Sequence, residues 1–293
     1  MTAKSLLKLF IPPIILKIRD CFSFTKNSFV STIADIRKKD DILIVLGNGP
    51  SLNKSLKEYK DKISAHDNIV VNYFCESEYY GQLKPSYYLI ADPVFFGEID
   101  TFAEWQREKV RRLIDAIVVN TKWNINLIVP SIAIGSEFMA RVKENTFIHT
   151  YFYNNVDTCK REENLKFVLW DKNLLSPPAM TCLNTCVWLG VFLRYREVYI
   201  IGADSNWVKL HEVDQETNVV YMNDAHFYGQ KKVVSYRDSE GKIPIKMHEA
   251  LFCVANAFKL YWDLREYAEY AKVKVYNASE YSLIDAFERK KLG

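Results

Sequence analysis

The sequence predicts an α/β protein of Rossmann-like type: a mostly parallel sheet with helices on both faces and a lid-like insertion. Three observations predict it. Short apolar runs alternate with amphipathic stretches from residue 41 onward, the first run leads straight into a glycine-rich turn, and a polar stretch without helical period interrupts the pattern at 205–245.

Strands are expected at 42–46, 68–72, 87–91, 116–119, 127–129, 146–151, 197–201 and 272–276, and helices near 100–113, 131–143, 181–194, 246–270 and 282–291. Short apolar strands separated by helices bury both faces of a parallel sheet. The 205–245 stretch carries turn signals and reads as an inserted hairpin or lid over the sheet's carboxyl edge. The chain thus divides into a basic N-terminal segment, 1–40, and a Rossmann-like domain, 41–293.

A chain of 293 residues, 49% hydrophobic and 26% charged, can bury one large core. Its net charge of +3 hides an asymmetry: residues 1–40 hold eight Lys/Arg against three Asp/Glu, so the remainder is slightly acidic. That excludes a nucleic-acid binder by charge. The apolar run at 5–19 is interrupted by Lys8, Lys17 and the Pro12-Pro13 pair, well short of the roughly 20 residues a spanning helix needs. Lys-Ile-Arg-Asp follows it where a secretory leader would carry small residues.

Two readings of that run stay open. It lies on an anionic membrane surface, with Lys8, Lys17 and Arg19 at the headgroups, or it packs on its own domain or a second subunit. The first makes the protein cytoplasmic and peripheral on the inner face of the cell membrane; the second leaves a homo-oligomer open. The cysteines at 21, 75, 159, 182, 186 and 253 show no CxxC or Cys/His ligand spacing. They read as reduced thiols rather than a zinc site.

The strongest local signal is Ile42-Leu-Ile-Val-Leu-Gly-Asn-Gly-Pro-Ser51, a buried strand running into a polar helix start. Gly47 and Gly49 let backbone approach a ligand closely, and the free N–H groups of the next helix suit a phosphate. The pattern is neither GxGxxG nor a Walker loop, so a tight strand-to-helix connection is an equally good account. Asn72 and Asp92 also end apolar runs, at the sheet edge where open parallel sheets bind ligands. Asn72 suits a base or ribose and Asp92 a ribose hydroxyl; each also suits a plain turn.

A fourth strand end holds Gly202 and Asp204, and before it Thr181 and Cys182 open an apolar helix. In the insertion, Asn223-Asp-Ala-His226-Phe-Tyr-Gly229 sets His226 between a polar turn and an aromatic–glycine segment, as a general base over a substrate requires. His66, His149, His211 and His248 show no better setting.

Taken in order, these residues resemble the bacterial family 42 sialyltransferases. They also resemble the wider MptE-like group, related to 6-hydroxymethylpterin pyrophosphokinase and found in polysaccharide gene clusters. The likeness rests on GNGPS, strand-end Asn72, Asp92-Pro93 followed by an aromatic pair, the Thr181-led helix, a strand ending in Gly202-Ala-Asp204, Asn223-Asp-x-His226-x-Tyr228-x, and Val275-Tyr-Asn-Ala-Ser. It spans roughly residues 41–288, an ordered run of turns and strand ends of the kind that marks a nucleotide crevice.

The resemblance implies a glycosyltransferase of surface polysaccharide or lipopolysaccharide synthesis. It would transfer a CMP-activated acidic, sialic-acid-like sugar to a glycan or lipid-linked glycan acceptor, with inversion and with no metal or other cofactor. Gly47, Asn48, Gly49, Pro50, Ser51, Asn72, Asp92, Thr181, Cys182, Gly202 and Asp204 would hold the donor nucleotide, and His226 would be the base. The family's helix-start Arg-x-Thr-Ser is Ala179-Met-Thr-Cys182 here, and the Tyr that stabilises its leaving phosphate is missing from Ser205-Asn-Trp207. Tyr228, Tyr221 or Lys209 would have to take that role. Two rival readings accompany it: a Mg²⁺-dependent diphosphotransferase acting on a pterin, and a non-catalytic nucleotide-binding scaffold of the same pathway.

Overall fold

The computed structural model describes residues 31–97, 102, 104–156, 165–236 and 242–293. The expected basic run at 1–20 lies outside them, as do Cys21 and Cys159.

Eight parallel strands form the main sheet. The chain runs β1 (Ile42–Leu46), α1 (Leu52–Ala65), β2 (Asp67–Val71), α2 (Glu78–Leu83), β3 (Tyr87–Leu89), α3 (Glu104–Asn120), β4 (Ile125–Pro130), α4 (Glu137–Val142) and β5 (Ile148–Tyr153). It returns through α5 (Lys166–Asp171) and α6 (Cys182–Phe192) to β6 (Glu197–Ile201). A small antiparallel sheet follows: β7 (His211–Val213), β8 (Val220–His226) and β9 (Gly229–Val234). The long α7 (Met247–Ala271), β10 (Lys274–Asn277) and the two-residue β11 (Glu288–Arg289) complete it. The spatial order of the large sheet is β11-β10-β6-β1-β2-β3-β4-β5. The chain therefore winds outward from β1 to β5, then crosses back to the far side of β1, and the order reverses between β1 and β6. In open α/β sheets the crevice at that reversal is where ligands bind.

Period-two alternation explains why the strands read as continuous apolar runs. Leu43 and Val45 of β1, with Val198 and Ile200 of β6, pack under α6 and α7 against Trp188, Tyr261 and Leu264. Ile44 and Leu46, with Tyr199 and Ile201, face the other way, onto Leu52, Leu56 and Phe74. Helix α6 is buried almost all round, from Leu183 to Val191, as a helix at the centre of a layer must be.

Two local expectations give way. The β-branched run at 116–119 is the last part of α3, because Val110, Leu113, Ile114 and Ile117 recur at helical spacing and are all buried. The stretch at 282–291 forms no helix: Ile284, Ala286 and Phe287 pack into the core as extended chain, and the Asn277 amide donates to the Ile284 carbonyl. The insertion, expected as a hairpin or lid, is an antiparallel sheet over 211–234. No helix among the described residues is long and apolar enough to cross a membrane.

Candidate functional site

The turns after β1 and β6 are stitched together by backbone. The Gly47 N–H donates to the Ile201 carbonyl and the Gly49 N–H to the Gly202 carbonyl, both at 2.8 Å. A Cβ on Gly47 would sit 2.5 Å from the Gly202 oxygen and one on Gly49 2.7 Å from it, so no side chain fits at either place. The glycines thus serve strand-to-strand approach. Asp204, leaving the β6 turn, accepts the Ser51 N–H at 3.3 Å and the Ser51 hydroxyl. The entry to α1, where the sequence suggests a phosphate, is occupied by the protein's own carboxylate. Burial raises the Asp204 pKa, and the Ser51 bonds pull it partly back.

Two cavities open at this edge. The smaller, about 120 Å³, is lined by Asn48, Gly49, Asn72, Thr181, Cys182, Gly202, Asp204 and His226, together with Ser205, Asn206 and Trp207. Asn48 is 8% exposed; its amide donates to the Val71 carbonyl at 3.1 Å, while its Oδ1 is buried with no partner among the described residues. A buried acceptor left so costs about 1–3 kcal/mol unless a ligand or water supplies a donor. Behind the crevice the Tyr261 phenol, pushed by burial to about 12, lies beside Thr181 and Ser205.

The larger cavity, about 580 Å³, shares Asn72, Thr181, Cys182 and Trp207 with the first. Asp92, Pro93, Met180, His211 and Met222 line it, and α7 contributes Ala250, Cys253, Val254 and Ala257. Among the described residues, no Lys or Arg lines either cavity. Asn72 stands between them in the left-handed region (φ 52°), its carbonyl accepting the Tyr88 hydroxyl and its Oδ1 the Cys182 thiol at 3.2 Å. Burial pushes that thiol to about 12, so it stays protonated. Thr181 caps α6, accepting the Asn184 N–H at 3.2 Å.

His226 reaches the smaller cavity because its hairpin is tied down. It pairs with Gly229 across a two-residue Phe227-Tyr228 turn. The Phe227 N–H donates to the Asn48 carbonyl at 2.9 Å, the Asn53 amide donates to the Phe227 carbonyl at 2.9 Å, and the Phe227 ring packs on Phe74. The half-buried imidazole stacks on Tyr228, ring centres 5.0 Å apart.

The structure thus gathers Asn48, Gly49, Asn72, Thr181, Cys182, Gly202, Asp204 and His226 at one edge. Asp92 sits apart on the larger cavity, accepting the Val94 N–H at 3.0 Å as the cap of a short turn. Gly47, Pro50 and Ser51 belong to the wall behind, and line neither cavity. Tyr228 is 45% exposed, Tyr221 carries Lys232 over its ring at 4.2 Å, and neither is among the lining residues. The Lys209 ammonium donates to the Tyr281 hydroxyl. Sequence reasoning missed His211 and the α7 wall. A signal existed for the wall: small side chains at 250, 253, 254 and 257 recur at helical spacing on one stripe.

No group of three or more His, Cys, Asp or Glu able to hold a metal occurs among the described residues, where Cys75, Cys182, Cys186 and Cys253 are free thiols. No family model and no curated protein matches the chain. Among solved structures, the MAf glycosyltransferase from Magnetospirillum magneticum AMB-1 is similar at 12% identity, with a TM-score of 0.48. The match covers 92% of this chain and 38% of that one, so this chain spans well under half that protein's length. A likeness that distant says nothing of the site.

Proposed function

We propose that the protein is a metal-independent glycosyltransferase, with the base of the donor nucleotide in the smaller cavity at the β1/β6 reversal, its phosphate at the α6 cap and His226 as general base. One observation carries this reading: the hairpin is hydrogen-bonded to the glycine turn through Phe227 and Asn48, which holds an imidazole beside a crevice with an unpartnered buried acceptor. The acceptor hydroxyl attacks the anomeric carbon from the face opposite the leaving group. A C–O bond forms, the bond from that carbon to the phosphate oxygen breaks, His226 takes the hydroxyl proton, and the nucleotide departs with the bonding pair.

Charge favours a CMP-activated donor over a diphosphate one. CMP-sugars carry a single phosphate charge, and the described lining residues offer no Lys or Arg to balance a second. The cap of α6, which opens on both cavities, is the helix start left for that phosphate once Asp204 has taken the α1 entry. The Asn48 Oδ1 suits an exocyclic amino group of a base. An acidic sugar, whose carboxylate restores a second negative charge, is supported by the order of the motifs alone and not by the charge of the lining.

The test is thermal shift against CMP, UDP, GDP and ATP, with and without Mg²⁺ or Mn²⁺. Because a ligand of the native state raises the melting temperature, CMP alone should give the largest shift. A UDP preference that depends on Mn²⁺ would falsify the donor assignment, and a Mg²⁺-dependent ATP shift would favour the diphosphotransferase. Membrane association through residues 1–20 is likewise proposed; deleting them should weaken sedimentation with anionic liposomes, and equal sedimentation would remove that reading.

A further inference from the structure

We propose that the 580 Å³ cavity is the acceptor subsite, that it takes a hydroxyl-bearing head carried on an apolar chain or ring, and that His211 positions the head. The proposal rests on the glycosyl-transfer reading only for the word acceptor. The volume lies within the range of small-molecule pockets. Its lining is apolar over most of its extent: Pro93, Met180, Met222, Ile245, Val254 and Ala257. Large apolar side chains stay exposed on neighbouring segments, with Met180, Val208 and Ile243 between 38% and 52% accessible. A glycan would cover little of this surface with its few C–H faces, whereas an apolar tail at the mouth of the cavity would cover more.

Polar groups occur where the head would lie. The cavity borders the smaller one, sharing Asn72, Thr181, Cys182 and Trp207 with it, so a head bound in one lies next to the other. His211 lines the larger cavity, and its Nδ1 lies 2.7 Å from the Trp207 carbonyl. A carbonyl only accepts, so Nδ1 carries the proton and Nε2 of the neutral ring is an acceptor. Such an imidazole holds a hydroxyl in place. His226, on the smaller cavity, keeps the role of base.

The test uses octyl β-D-glucoside below its micellar concentration as probe, methyl β-D-glucoside as control, and Cys253 as reporter. Cys253 is exposed and on the cavity wall, whereas the Cys182 thiol is held protonated by burial. With no nucleotide present, octyl glucoside should slow N-ethylmaleimide alkylation of the Cys253 peptide at least tenfold, and methyl glucoside should not. Val254→Asp should abolish that protection; Met180→Asp, at another lining residue that is already exposed, replaces it if the first variant melts early. Equal alkylation with both glucosides, or protection surviving both variants, overturns the proposal.

In a transfer assay, His211→Ala should raise the acceptor KM about tenfold with kcat within threefold, and His211→Gln should recover part of it. An unchanged KM overturns the positioning role. Transfer to alkyl-bearing and plain acceptors with equal KM discards the subsite while leaving the transferase reading intact. Protection without any transfer keeps the apolar site and discards the transferase.

Discussion

The two cavities share four residues and differ in almost everything else. The smaller is walled by backbone and amide groups at the ends of β1, β2 and β6, with buried Asn48 and Asp204 among its lining. The larger is walled by side chains of α7 and of the antiparallel insertion, mostly apolar, with exposed Asp92 as the only carboxylate among its described lining residues. Backbone carbonyls and amides cannot change without moving the sheet, whereas side chains on a helix face can. The polar pocket is therefore as rigid as the sheet, and the apolar one as adjustable as a helix surface.

The largest expected effect separates chemistry from binding. His226→Ala should lower turnover by about 10²–10⁴, or roughly 3–5 kcal/mol of barrier, while the melting curve and CMP affinity hold. Turnover within threefold of wild type would make His226 a packing residue on Tyr228 and leave the smaller cavity without a base. Next, Gly47→Val should destabilise the fold by more than the roughly 1–3 kcal/mol of ordinary overpacking, because the new Cβ meets a carbonyl oxygen. Chemical denaturation reads this directly; a loss below about 0.5 kcal/mol, the range of neutral surface changes, would show that the wall can move.

A smaller effect tests the pocket's polarity. Asn48→Ala removes both the bond to Val71 and the unpartnered acceptor, and should weaken CMP binding about tenfold, roughly 1.4 kcal/mol. Calorimetric titration giving an unchanged affinity would place the base elsewhere. The smallest effect is on pH. Burial holds the Asp204 pKa above its ordinary 3.8, so the native state binds this proton more tightly than the unfolded one. Stability from this group is present below pH 3.8 and is lost as pH rises through the native value. Asp204→Asn should therefore flatten the decline of stability on the alkaline side of about pH 4; an unaltered slope would mean that Ser51 fully offsets burial.

The parallel strands and the glycine turn were legible in the sequence because strands buried on both faces leave continuous apolar runs, and because a turn without room for Cβ must be glycine. The gathering of Asn72, Thr181 and Asp204 was legible because all stand at strand ends or a helix start. The run at 116–119 was misleading: four β-branched or small residues fit either period, and only Val110 and Leu113 upstream decide it. His211 was invisible for another reason. What distinguishes it is a hydrogen bond to a carbonyl four residues earlier, made by a bend no local motif announces. The bond from the Ser51 N–H to Asp204 was not legible, because the two residues lie 153 positions apart.

The stitching of β1 to β6 by Gly47 and Gly49 bears on how this protein would yield to laboratory evolution. At the two glycines that side of the pocket is main chain packed on main chain, so a side chain added there first breaks the sheet. Libraries aimed at the glycine turn should return mostly unfolded clones, whereas libraries at 250, 253, 254 and 257 of α7 should return folded proteins with altered acceptor range. The protein would then carry its tunable half on a single helix, apart from the half proposed to hold the nucleotide.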